Sequence, residues 1–109
     1  MIQVTIIRNR NGKYTGFDCI GHAGYADAGE DIVCAGVSAL VINTINSIDC
    51  YTEEKFSMNT DAETGKIAVQ FYRPAGHDAE LLLKSLVLGL EGIRDNYGAG
   101  YITLNFKEV

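Results

Sequence analysis

The apolar residues of this 109-residue chain follow two different periods, and the order in which these periods alternate limits the fold more than any other feature. Four segments show the alternation of apolar and polar residues that is typical of half-buried β-strands, namely residues 2–6, 56–58, 67–71 and 102–106. Over 32–50 and 78–97 the apolar residues instead recur every three or four positions, which predicts two amphipathic helices.

Tight-turn residues indicate how these strands are connected. Asn11-Gly12 predicts a hairpin that leads into a further strand over 13–20, and residues 61–65 form another turn. With that strand added, the predicted order of elements is ββαββαβ. Hairpins favour a mostly antiparallel sheet, and two helices can cover one of its faces. We therefore expect an α+β fold, a two-layer sandwich in which residues 1–109 form a single domain.

The balance of charges limits the kinds of partner. The net charge is -5, with 14 acidic side chains against 9 basic ones. An acidic surface repels phosphate backbones, so direct binding of nucleic acid is disfavoured and a basic protein or peptide is the better partner. No apolar run has the length of a bilayer-crossing helix, and the first residues do not resemble a signal peptide. We therefore expect a cytoplasmic protein that does not associate with membranes.

The three cysteines agree with a reducing compartment, because their number is odd and their spacings are wide. Cys34 stands out among them. With Asp31 as the N-cap of the first helix, Cys34 occupies the third helical position, where the helix dipole and free backbone N–H groups favour a thiolate and offer an oxyanion hole. His22 follows a strand and enters a glycine-containing loop that can bring its imidazole to the helix start. Cys34 and His22 are therefore the candidate catalytic residues.

Other interpretations of these residues are open at this point. Cys34 can be a small buried hydrophobe, as we expect for Cys19 and Cys50. Cys19, His22 and Cys34 can supply three zinc ligands, although no second closely spaced ligand pair accompanies them. A redox-sensing thiol is a further alternative, but no second cysteine lies near Cys34 in the sequence. Whether Asp31 or Ser38 assists catalysis is also open.

The stretch around Cys34 resembles a known family, the ribosomal-processing cysteine proteases called Prp. The likeness covers the length and the element order of the whole chain, and its most specific part is the motif Gly21-His22, a glycine-containing loop, then Gly29-x-Asp31-Ile32-Val33-Cys34-Ala35 with Ser38 following. The resemblance implies a cysteine endopeptidase with Cys34 as nucleophile and His22 as general acid/base.

The resemblance also implies a substrate and an assembly. Such proteins remove a short N-terminal extension from a large-subunit ribosomal protein, number twenty-seven, by cutting after a pair of aromatic residues. They form homodimers and need no metal or other cofactor. For this chain we expect Tyr25 to contact the aromatic substrate side chains and the loop over residues 21–30 to act as a lid. The alternative from another class is a non-catalytic, ribosome-associated adaptor that binds a basic protein and merely buries Cys34.

Overall fold

The computed structural model describes residues 1–22, 24, 26–27 and 31–109. The predicted order ββαββαβ is confirmed, with the elements β1 (Ile2–Arg8), β2 (Tyr14–Ile20), α1 (Ile32–Tyr51), β3 (Phe56–Asp61), β4 (Lys66–Phe71), α2 (His77–Tyr97) and β5 (Ile102–Glu108). The strands β1, β3 and β5 extend two or three residues beyond the alternating segments, because backbone pairing with a neighbour continues where the apolar pattern stops.

The five strands form one sheet in the order β3-β4-β2-β1-β5. The pairs β1–β2, β2–β4 and β3–β4 are antiparallel, whereas β5 returns from α2 to pair in parallel with β1. Both helices cover the same face of the sheet, which confirms the expected α+β two-layer sandwich with a mostly antiparallel sheet. The register places Val4 opposite Cys19 and Ile6 opposite Phe17, and these buried side chains point towards the helices.

The two helices run antiparallel across this face and approach each other at small residues. Gly89 of α2 lies against Leu40 of α1, where an added Cβ would come within 2.8 Å of a Leu40 methyl carbon. The core lies between helices and sheet, and its fully buried large side chains are Val4, Ile6, Phe17, Val33, Val37, Val41, Ile48, Leu83, Leu86, Leu90 and Ile102. Burial of each such side chain stabilises the fold by about 1.5–3 kcal/mol before the loss of chain entropy is counted.

The helix α1 departs from the expectation that no segment is long and apolar enough to cross a bilayer. Its 20 residues have a mean hydropathy of 1.5 over an 18-residue window, so by length and composition α1 passes the test for a membrane-spanning helix. In the structure, however, α1 packs its Val33, Val37 and Val41 side chains into the core beneath it. Core helices of globular domains pass the same test, and the packing of α1 is that of a core helix.

Candidate active site

The first turn of α1 carries Cys34 in the predicted place. Asp31 adopts the extended backbone of an N-cap residue, and its Oδ1 accepts a hydrogen bond from the backbone N–H of Cys34 at 2.9 Å. The helix begins at Ile32, so Cys34 is the third helical residue, and its half-buried side chain packs against the core. A thiol at this position feels the positive end of the helix dipole. The N-cap role predicted for Asp31 is therefore confirmed.

The same cap changes one expectation about the oxyanion hole. The N–H of Cys34 donates to the Asp31 carboxylate, and the N–H of Ala35 donates to the Asp31 carbonyl at 3.0 Å. Neither amide is therefore available to a substrate oxyanion in this conformation, so the oxyanion hole expected from free N–H groups near Cys34 cannot use these two. The amides that α1 can still direct at an oxyanion are those of its first two residues, Ile32 and Val33, which precede the helical hydrogen-bonding pattern.

His22 lies just beyond the end of β2, with an exposed side chain. The preceding residue, Gly21, has a φ of +99° and donates its N–H to the carbonyl oxygen of Thr64 at 2.8 Å. Thr64 and Gly65 belong to the turn between β3 and β4, so this turn lies directly beside His22. The sequence around Gly65 gives no sign of this contact, because a glycine at this position signals only the end of a tight turn.

Cys19 shows that the end of β2 and the start of α1 meet. It is the last buried residue of β2 on the helix-facing side and is only 6% exposed. Burial, and after it the negative charges of Asp18 and of an ionised Cys34, raises the pKa of the Cys19 thiol to about 11. Cys34 therefore lies within electrostatic range of a residue three positions before His22. The fold places the candidate nucleophile and the candidate base at the same end of the sheet.

The raised pKa also separates the roles of the cysteines. A thiol with a pKa near 11 is almost entirely protonated at neutral pH, and the protonated form is a poor nucleophile. Cys19 is therefore a packing residue, as expected. Cys50 is exposed on the last turn of α1, at the far end of that helix from Cys34. The expectation that Cys50 is buried is wrong, because its side chain falls on the solvent-facing side of α1.

The remaining candidate residues occupy different places. Ser38 lies one turn after Cys34 with an exposed side chain. His77 is the first residue of α2, at the opposite end of the sheet from His22, and its Nδ1 lies 3.0 Å from Asp78 Oδ1. The expected substrate contact of Tyr25 falls outside the described residues, as does much of the expected lid. These two expectations stay predictions.

A metal site is not favoured by the geometry. Within residues 1–22, 24, 26–27 and 31–109, no three His, Cys, Asp or Glu side chains cluster closely enough to hold an ion. That range includes Cys19, His22 and Cys34, the three ligands considered for zinc, and they do not form such a cluster. His22 is exposed and Cys34 is half-buried, and neither belongs to such a cluster.

Comparison with known proteins identifies the family. The sequence profile described as Cysteine protease Prp matches residues 1–103. Ribosomal processing cysteine protease Prp from Staphylococcus aureus (strain Mu50 / ATCC 700699) is 35% identical, over 98% of this chain and 100% of its own length. The protein of the same name from Bacillus subtilis (strain 168) is 31% identical, over 89% of this chain and 90% of its own length.

A solved structure agrees in three dimensions. The crystal structure of the essential ribosomal processing protease Prp from S. aureus, in complex with a covalently linked product peptide, superimposes with a TM-score of 0.91. It is 34% identical and the match covers 98% of this chain and 100% of that one. Sequence and fold therefore agree over nearly the whole length, and the chain belongs to the cysteine protease Prp family.

Proposed function

We propose that this protease removes a short N-terminal extension from a large-subunit ribosomal protein, number twenty-seven, with Cys34 as nucleophile and His22 as general acid/base. This proposal rests on the position of Cys34 in the first turn of α1. His22 follows β2 at the same end of the sheet. The relatives named ribosomal processing cysteine proteases match this chain over their full or nearly full length, which supports a processing protease. A non-catalytic adaptor has no such support.

The proposed reaction has two halves. His22 takes the proton of the Cys34 thiol, and Sγ attacks the carbonyl carbon of the scissile peptide bond. The resulting oxyanion is stabilised by the amides of Ile32 and Val33, since Asp31 occupies the N–H of Cys34. The tetrahedral intermediate collapses to a thioester as His22 protonates the leaving amine. A water molecule, deprotonated by His22, then hydrolyses the thioester and regenerates the thiol.

Surface properties support the rest of the proposal. The net charge of -5 suits a basic ribosomal protein as substrate, and it disfavours direct binding of nucleic acid. We place the protein in the cytoplasm, where its thiols stay reduced. We further propose a homodimer, as the family resemblance implies. Leu81 and Leu88 are exposed on one side of α2 and give the chain apolar surface that an interface can bury.

The test uses the purified chain and a synthetic ribosomal protein that carries the extension. Mass spectrometry should show loss of the extension with the wild-type chain and none with Cys34→Ala. His22→Ala should slow cleavage by about 10²–10⁴-fold, the usual contribution of a general acid/base. Cys50→Ala is the matched control, because Cys50 is exposed and far from the site, and it should cleave at the wild-type rate. Cleavage by Cys34→Ala at the wild-type rate would disprove the assignment.

A further inference from the structure

The turn between β3 and β4 contacts the candidate base, although its sequence gives no sign of doing so. Asp61 pairs with Lys66 where the two strands meet the turn, and Asp61 Oδ1 accepts a hydrogen bond from the N–H of Glu63 at 3.1 Å. Gly65 closes the turn with a φ of +68°. The turn therefore has a defined shape that is set by its own pairing and its own hydrogen bond.

The absence of a side chain at Gly65 creates the space that His22 occupies. A Cβ at this position would lie 3.2 Å from Cε1 of the His22 ring and 2.7 Å from the carbonyl oxygen of Gly21. The second distance is shorter than a carbon–oxygen pair tolerates, so a side chain here must displace the backbone of Gly21 or of the turn. Since Gly21 directly precedes His22, either movement changes where the imidazole lies.

The backbone of Gly21 is held by contacts on two sides. Its N–H is bound to the carbonyl oxygen of Thr64 at 2.8 Å. On another side, the site of a Cβ on Gly21 lies 2.4 Å from the carbonyl oxygen of Met1, so the first strand packs tightly against it. Gly21 is thus held between the β3–β4 turn and the start of β1. A Cβ at Gly65 would push on a segment that cannot move away without breaking one of these contacts.

We propose that Gly65 is a positioning residue for His22: because Gly65 has no side chain, the imidazole can lie over this turn, in the place from which it exchanges a proton with Cys34. The proposal rests on the proposed function in taking His22 as the general acid/base. Misplacement of a catalytic group by about 1 Å costs on the order of 10²-fold in rate. Gly65 therefore acts on the reaction through His22.

Gly12 provides a matched control for the backbone effect. It lies in the β1–β2 hairpin with a φ of +76°, close to that of Gly65, but a Cβ there would meet nothing within 4 Å. Alanine at either position carries the same kind of strain, because both positions have a positive φ. Asparagine tolerates a positive φ better than alanine does, yet it brings the same Cβ. Comparing both residues at both positions separates the contacts with Gly21 and His22 from the strain of a positive φ.

The experiment measures peptide cleavage by Gly65→Ala, Gly65→Asn, Gly12→Ala and Gly12→Asn. We expect both Gly65 variants to lose at least about 10-fold in kcat, within the range that misplacement of a catalytic group allows, with KM close to the wild-type value. Both Gly12 variants should keep the wild-type kcat. The loss should be similar for alanine and asparagine at Gly65, even though the asparagine variant is the more stable of the two.

Nuclear magnetic resonance detects a change in the position of the His22 ring. The chain has two histidines, so protein with ¹³C-labelled histidine gives two Cε1–H signals. His77 is an internal reference, since it is exposed at the other end of the sheet. Gly65→Asn should shift the His22 signal and leave the His77 signal in place, and Gly12→Asn should shift neither. A variant that had merely lost its fold would change both signals.

Two outcomes keep this inference separate from the proposed function. If His22→Ala is inactive while Gly65→Asn keeps both the wild-type kcat and an unmoved His22 signal, then Gly65 does not position His22 and the inference is wrong. If His22→Ala itself cleaves at the wild-type rate, the general acid/base assignment fails and the positioning role fails with it. Loss of kcat in Gly65→Asn together with a shifted His22 signal supports the inference.

Discussion

At the residue scale, the three cysteines differ because burial and position give them different chemistry. Cys19 is buried in the sheet, Cys34 is half-buried at a helix N-terminus, and Cys50 is exposed at a helix C-terminal end. The sequence alone distinguished Cys34 from the other two cysteines, because Asp31 as N-cap puts Cys34 in the first turn of a helix. It could not show that Cys19 lies near Cys34 in space, because that depends on how α1 is placed on the sheet.

Thiol labelling tests whether the three cysteines differ in reactivity. Iodoacetamide at neutral pH should modify Cys34, the proposed nucleophile, first and Cys50 more slowly. Cys19 should remain unmodified in the folded protein because it is buried and its thiol is protonated. Peptide mapping by mass spectrometry after short exposure gives the order. Equal rates at Cys34 and Cys50 would mean that the helix start does not activate the thiol.

The raised pKa of Cys19 predicts a specific pH dependence of stability. The pKa lies above the ordinary value of 9.0, so ionisation favours the unfolded chain. The stabilisation from the neutral thiol is complete below pH 9 and is lost as pH rises from 9 to about 11, by about 3 kcal/mol. Denaturant unfolding should show the wild-type chain losing more stability than Cys19→Ala over this interval. Parallel curves for the two proteins would contradict the burial effect.

At the scale of single elements, the sequence pattern was sufficient to predict the start of a helix where a neighbouring residue sets that start. The start of α1 was predictable because its N-cap, Asp31, precedes it directly. The start of α2 was placed one residue late. Its N-cap residue, Gly76, donates its N–H to the carboxylate of Glu54, which lies 22 positions earlier in the chain. A contact from such a distance leaves no trace in the sequence around the helix.

The Asp31 cap predicts a measurable change in stability. Asp31→Ala should lower the free energy of unfolding by about 1 kcal/mol, the usual cost of removing an N-cap side chain. Asp31→Asn should retain most of the stability, because the asparagine side-chain oxygen can accept the same hydrogen bond from Cys34. Urea unfolding of the two variants checks this. Equal loss in both would show that the carboxylate charge, and not the hydrogen bond, is what stabilises the helix start.

At the scale of the whole molecule, the class of fold was predictable but the strand order was not. Alternation and hairpins predicted a mostly antiparallel sheet under two helices. The parallel pairing of β5 with β1 depends on the crossover through α2, and no local pattern specifies the strand beside which a crossover ends. The contact between the β3–β4 turn and His22 depends on the same long-range arrangement, since β4 pairs with β2. The candidate site was therefore predictable as two residues but not as the surface that surrounds them.

At the same scale, we expect the protein to cleave its substrate without a metal ion. Within the described ranges there is no three-ligand cluster, and the proposed chemistry needs only a thiol and an imidazole. Cleavage should therefore proceed at the same rate after dialysis against EDTA, with a dialysed sample lacking EDTA as control. If EDTA abolishes cleavage and zinc restores it, Cys34 and His22 act as ligands and the proposed mechanism is wrong.

The central claim is that Cys34 forms a covalent bond with the substrate. Rapid acid quenching of the protease with the extended ribosomal protein, followed by peptide mapping, measures this directly. We predict an acyl adduct with the mass of the N-terminal extension on the peptide that contains Cys34, and no adduct on Cys19 or Cys50. Folded Cys34→Ala should show neither adduct nor cleavage. An adduct on another residue, or cleavage by Cys34→Ala, would contradict the account.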